Sequence, residues 1–188
     1  MQTIQPIQLE NASDATKRLF ATATADNGLP SNMIKSMAQS LAVLEGYLQF
    51  SRALKGGKLD QEEREQIALA VAQTNLCEYS LAYHTARARK LGLTNENILS
   101  SREGRAADTK LDAALRFARD LVAENGDCSP AELQQAGFTD REIVEIVAHV
   151  ALNIFENYFN MVARTDMDLP KVALKLKVAR TAPAGICE

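Results

Sequence analysis

The chain has 188 residues, a formal net charge of −3, 46% hydrophobic and 24% charged residues, and no Trp. That length buries a sizeable core without covalent staples, and the composition excludes an intrinsically disordered chain. The weakly acidic balance gives no general attraction to nucleic acid or an anionic membrane, and three cysteines are too few for a disulfide framework.

Residues 1–11 carry neither a basic n-region nor an apolar h-region, and no apolar run is long enough to cross a bilayer. A cytoplasmic protein is expected, in a reducing compartment where a notable cysteine is reactive rather than structural.

The periodicity is helical nearly throughout, and no alternating β-branched run is bounded by hairpin turns. Thr16 to Ala25 reads as a first helix, ended by Asn27-Gly28. Pro30-Ser31 opens a longer one with Met33, Met37, Leu41, Leu44 and Leu48 as its inner stripe, broken at Gly56-Gly57. Asp60 with Glu63 reads as a reciprocal cap for the next helix, with Ile67, Val71 and Thr74 inward. Asn75 with Glu78 predicts a restart, and the new helix runs to Leu91, where Gly92 stops it; its inner stripe is Cys77, Leu81, His84, Ala88 and Leu91. A short helix over Thr94–Ser100 precedes a charged segment, Ser101 to Ala107, expected to be an exposed connection. Asp108 starts a helix with Leu111, Leu115, Ala118 and Val122 inward, and Ser129-Pro130 starts a short one. Thr139 with Glu142 caps the longest apolar helix, in which Ile143, Ile146, Val147, Val150, Ile154 and Val162 are expected to face the core. Beyond Pro170 the periodicity fades. The expected architecture is one all-α unit over 1–188, its core at about 31–170, with an N-terminal helix and a C-terminal tail appended.

Glu65, Cys77, Ser80 and His84 are the candidate catalytic residues. Cys77, Ser80 and His84 are spaced by three and four positions and so share one helix face. Cys77 falls in the first turn, where unpaired N–H groups and the helix dipole favour a thiolate. His84 lies roughly 10 Å further along the axis, out of direct reach of Cys77 without a water, so Ser80 is its closer partner. Glu65, on the preceding helix, reaches the same face and can orient His84 if the chain turns back near Asn75. Taken singly, each has a structural explanation: a small buried thiol, a hydrogen-bonded core imidazole, a carboxylate balancing a helix dipole. Their convergence on one face favours a site.

Other chemistries fit less well. Ser80, His84 and Glu65 have a hydrolase triad's composition, but no nucleophile elbow or oxyanion loop accompanies them. The Cys77/His84/Glu65 spacing matches no common zinc pattern, so neither metal nor cofactor is expected. Asn153, Asn157 and Asn160 form a polar stripe that either satisfies buried helix ends or a subunit contact, or faces the Cys77 helix and lines a pocket. His149 reads as structural or interfacial. Phe155, Tyr158 and Phe159 follow one another around their helix and cannot all face one core, which points to a homo-oligomer.

Glu65, the run Cys77-Glu78-Tyr79-Ser80 and His84-Thr85, with Arg64–Val71, Gly137–Asp140 and the Asn-rich helix Asn153–Asn160, resemble the signature of the alkylhydroperoxidase D (AhpD)-like, carboxymuconolactone decarboxylase family over about 31–170. The resemblance implies an all-α fold of packed helical hairpins, assembled as dimers, trimers or hexamers. In the peroxidase branch a Glu, a Cys-x-x-Cys and a His beyond three intervening residues form the site. There the second cysteine attacks peroxide, helped by the His and Glu, and the first resolves the sulfenic acid. Ser80 stands at the second cysteine, and a hydroxyl forms neither a sulfenic acid nor a disulfide.

The resemblance therefore implies a one-cysteine peroxidase-type oxidoreductase, with Cys77 as redox thiol, Glu65 and His84 as proton relay, Ser80 as hydrogen-bond partner and an external thiol as reductant. Cys187 in the tail is a speculative resolving partner, and Cys128 reads as incidental. The decarboxylase branch suggests an alternative, thiol-independent acid–base chemistry on a lactone-type acid by Glu65 and His84, with Arg87 and Arg89 on the same helix. A third possibility is a non-enzymatic oligomeric binding protein that keeps the fold.

Overall fold

The computed structural model describes residues 2–24 and 28–175. These residues contain helices and no strand. A 3-10 turn, Leu9–Asn11, precedes α1 (Asp14–Ala23), α2 (Asn32–Met37), α3 (Leu41–Lys55), α4 (Gln61–Thr74), α5 (Glu78–Lys90), α6 (Asn95–Arg102), α7 (Thr109–Ala123), α8 (Ala131–Gln135) and α9 (Asp140–Ala163). The expected AhpD-like, all-α architecture is present. The predicted end of the first helix falls partly on Asn27, outside the described residues, as does Cys187.

Caps set most boundaries. Side-chain oxygens of Ser13, Ser31, Ser40, Asp60, Thr94, Asp108 and Thr139 each accept a backbone N–H of the following first turn. The Asp60/Glu63 and Thr139/Glu142 boxes are both reciprocal. Ser40's cap separates α2 from α3, which periodicity alone reads as one helix; Leu41, expected inside, is therefore exposed.

The α4 helix is the centre of the molecule. It packs against α5, α6, α7 and α9, and every residue from Glu65 to Gln73 is buried. Burying Ile67, Leu69 and Val71 stabilises the fold by about 1.5–3 kcal/mol each. Its residues enter two of three apolar clusters. Ile67 and Val71 join Leu115, Ala118, Leu133, Ile146 and Val150. Leu69 and Ala72 join Leu81, Ala88, Leu93 and Ile98. A third cluster joins Phe20, Met33, Ile34, Met37 and Leu44 to Cys77 and Tyr79, so the N-terminal helices roof the Cys77 end of α5.

Three expectations are corrected. Asn75 does not cap α5. It ends α4, Leu76 takes a left-handed conformation (φ 56°), and Cys77 itself is the N-cap of α5. The N–H of Leu76 donates to Gln73 O and that of Cys77 to Ala72 O, the two bonds of a Schellman turn. The charged segment from Ser101 is not a free loop: Ser101 and Arg102 close α6 and are buried, and the Arg102 guanidinium donates to Gln73 Oε1 and Ala173 O. On α9, Val147 and Val162 point outward with Val144, Phe155, Tyr158 and Met161. The helix carries a second apolar stripe on its outer side, which a single-face reading merges with the first.

Candidate active site

The Schellman turn folds α5 back along α4, bringing Glu65 opposite His84 and Arg87, one turn apart on α5. The Glu65 carboxylate is shared between them: His84 Nδ1 lies 2.8 Å from Oε2, and Arg87 Nε donates to Oε1 at 2.7 Å. All of Glu65 and His84 but a sliver is buried.

The other side of the imidazole faces a carboxylate that the sequence reading passed over. Glu156 Oε2 on α9 lies 3.6 Å from His84 Nε2, too long for a hydrogen bond, and Nε2 has no other partner. Tyr47 on α3 donates its hydroxyl to Glu156 Oε1 at 2.8 Å. The Tyr83 ring meets His84 edge-on at 5.4 Å, and the Arg87 guanidinium lies 5.8 Å from the Tyr83 centroid. Glu156 is not silent in the sequence. It stands at the spacing that links Asn153, Asn157 and Asn160, so the polar stripe of α9 includes a carboxylate aimed inward.

Burial alone would neutralise both His84 and Glu65, yet their pairing prevails. Burial lowers His84, but the charges of Glu65 and Glu156 lift it to about 9. Burial raises Glu65, but His84 and Arg87 bring it below the ordinary carboxylate value. Tyr47 is pushed well up by burial and by Glu156, so its hydroxyl stays protonated.

Cys77 belongs to a separate polar group. Its thiol donates to Ser80 Oγ at 3.3 Å, and Asn160 Nδ2 donates to the same oxygen at 3.3 Å and to Met33 Sδ at 3.2 Å. The expected low-pKa thiolate is not what this environment favours. Cys77 is 1% exposed, and burial raises its thiol above the ordinary value, outweighing the Ser80 hydrogen bond and the N–H groups of Tyr79 and Ser80. Position at the helix start supplied the dipole, but closure by the N-terminal helices removed the solvent.

Cys77 lines a cleft of about 480 Å³ with Leu76, Tyr79, Asn160, Met161, Arg164, Thr165 and Lys171. Glu65, Ser80 and His84 are not among its lining residues. A second groove, about 290 Å³ and almost wholly apolar, runs between α3 and α9 past Tyr47, Phe50 and Phe155.

Of the Asn stripe, Asn160 reaches the Cys77 group, Asn153 donates to His149 O within its helix, and Asn157 is fully buried with neither amide atom paired. His149 is buried and feels the charge of Glu156, but burial and Arg64 outweigh it and depress it to about 4. Cys128 is half-buried against the cluster around Leu115 and Leu133. Among the described residues no three His, Cys, Asp or Glu side chains group to hold a metal ion.

Residues 42–124 match the carboxymuconolactone decarboxylase family. In structure the chain is similar to the debrominase Bmp8, with a TM-score of 0.76 and 17% identity over 88% of this chain and 91% of that one. Another structure of that debrominase holds 2,3,4-tribromopyrrole. The chain is also similar to a peroxidase-related protein with an alkylhydroperoxidase AhpD core from Ralstonia eutropha JMP134 (TM-score 0.77, 21% identity, 89% and 92% covered). A peroxidase-related protein from Silicibacter sp. TM1040 gives a TM-score of 0.70 at 22% identity, with 90% and 93% covered. At these identities the similarity is one of fold. No match is found among curated proteins.

Proposed function

Since residues 42–124 match the carboxymuconolactone decarboxylase family and the chain has the AhpD-like fold, we propose that it is a peroxidase-like oxidoreductase with one reactive thiol, Cys77. The observation that carries this reading is that Cys77, of the four candidate residues, lines the 480 Å³ cleft, while the Glu65–His84 pair lies behind it. A peroxide in the cleft is attacked at its distal oxygen by the Cys77 sulfur. The O–O bond breaks, Cys77 becomes a sulfenic acid, and the departing oxygen takes a proton and leaves as water or an alcohol. Ser80 accepts the hydrogen bond of the thiol, and His84 is the cationic group able to return a proton through a water. Two equivalents of an external thiol then reduce the sulfenic acid, leaving as their disulfide with release of water.

A second reading is favoured by the unpaired Nε2 of buried His84: acid–base chemistry on a lactone-type acid, with Cys77 a bystander. The test measures peroxide consumption with dithiothreitol, and turnover of a carboxylated lactone alongside, in wild type, Cys77→Ser and His84→Ala. The thiol reading expects at least about a hundredfold loss in Cys77→Ser; equal rates in that variant and the wild type overturn it. Turnover of a lactone acid lost only in His84→Ala establishes the second reading.

The outward apolar stripe of α9, with Phe155, Tyr158 and Val162, supports assembly of this chain as a homo-oligomer. Among the described residues no helix is long and apolar enough to cross a membrane.

A further inference from the structure

Five titratable or charged groups meet in the buried space around His84. They are Tyr47 from α3, Glu65 from α4, Tyr83 and Arg87 from α5, and Glu156 from α9. Glu65 and Arg87 already form a closed pair at 2.7 Å. The charge of Glu65 already favours the imidazolium, but it is shared with Arg87. Glu156 adds one further negative charge with no cation of its own nearer than His84. A buried cluster with an odd carboxylate is costly, and the group able to cancel it is the imidazole ring 3.6 Å away.

We infer that Glu156 is a positioning residue that holds His84 as a stored acid, with Tyr47 fixing which carboxylate oxygen faces the ring. Tyr47 occupies Oε1 at 2.8 Å, so Oε2 is the oxygen turned to Nε2. Glu65 anchors the opposite nitrogen and sets the plane of the ring. The direction of the His84 shift agrees with this arrangement. In the reaction proposed above, on which this consequence rests, His84 then supplies the proton to the departing oxygen, while the Cys77 thiol proton passes to water in the cleft and water restores the proton of His84. Tyr47 also lines the α3–α9 groove and so joins the cluster to that surface.

The test is a pH titration of protein carrying isotopically labelled histidine, followed by NMR on the full chain. There are two histidines, and His149, depressed to about 4, is assigned by its own substitution. Wild-type His84 is expected to titrate near 9. In Glu156→Gln, with fold checked by circular dichroism, its midpoint is expected to fall by about one unit or more, since an opposite charge at this range shifts a pKa by about 1–3 units. A fall smaller than about half a unit overturns the inference. So does wild-type His84 titrating at or below its ordinary value, a result that stands even if the Gln variant fails to fold. A side chain with a merely structural role would leave the midpoint in place. The titration needs no substrate, so it can succeed where the peroxidase reading fails. If both hold, the alkaline limb of the pH–rate profile moves down in Glu156→Gln by the same amount as the NMR midpoint.

Discussion

Cys77 and Ser80 show how one atom redirects a site. A thiol at position 80 would give the sulfenic acid of Cys77 an internal partner one helical turn away. The hydroxyl there accepts a hydrogen bond from Cys77 and one from Asn160, and does nothing redox-active. The same burial that shields Cys77 keeps its proton on. Alkylation of Cys77, in a chain with Cys128 and Cys187 replaced by Ser, is therefore expected to be slow at neutral pH and to accelerate only above the ordinary thiol range. Ser80→Ala removes a hydroxyl that can turn its proton toward a Cys77 thiolate and should push the alkylation midpoint higher. A midpoint at or below about 8.5, the free-cysteine value, would contradict this account of the pocket. The four candidate residues were legible in the sequence because three share one helical face and the fourth precedes them on a helix that must pack against it. Glu156 and Tyr47 were not singled out, because their relation to His84 is set by docking of distant helices; the spacing on α9 marks Glu156 as inward but does not name its partner.

At the scale of elements, the turn between α4 and α5 decides where the thiol sits. Its two backbone bonds need one residue in the left-handed region, and that residue is Leu76 rather than the usual glycine. Holding a β-carbon there costs roughly 1–2 kcal/mol. The Leu76 side chain is 38% exposed at the rim of the cleft, so little packing compensates. Leu76→Gly is expected to raise the free energy of unfolding by up to about 1 kcal/mol, read as a higher urea midpoint with an unchanged slope. A loss of more than about 1 kcal/mol would mean that Leu76 contributes packing the structure does not suggest. Helix identities followed from the sequence because caps and periodicity agree. The errors came where two signals compete: Asn75 is a good cap by type, yet the Schellman bonds of Leu76 and Cys77 use the preceding helix end, and α9 is apolar on two sides.

For the whole molecule, the two histidines pull stability in opposite directions. His84 is raised to about 9 in the folded chain, so its contribution is complete below its unfolded value near 6.5 and is lost as pH rises through 9. His149 is depressed to about 4, so its contribution is complete above that unfolded value and is lost as pH falls through 4. Together they place a maximum near pH 6.5, and thermal unfolding across pH 5 to 9 should show the alkaline decline flattened in His84→Gln and the acid decline flattened in His149→Gln. An unchanged alkaline limb in His84→Gln would mean that the buried cluster does not hold the imidazole as described.

The cluster around His84 also has a consequence for how the chain reaches its working form. The hydrogen bond from Tyr47 to Glu156 closes a loop of 109 positions, against 19 for the contact of His84 with Glu65. Closing the longer loop costs more chain entropy, and contacts of that span are the slow ones in folding. The α4–α5 hairpin can bring thiol, hydroxyl, imidazole and first carboxylate together by local contacts, but the second carboxylate arrives only when α9 docks. The contact of Glu156 with His84 is thus a marker of complete assembly: a chain that has made its hairpin but not yet seated α9 holds the motif in outline and lacks the carboxylate that faces Nε2.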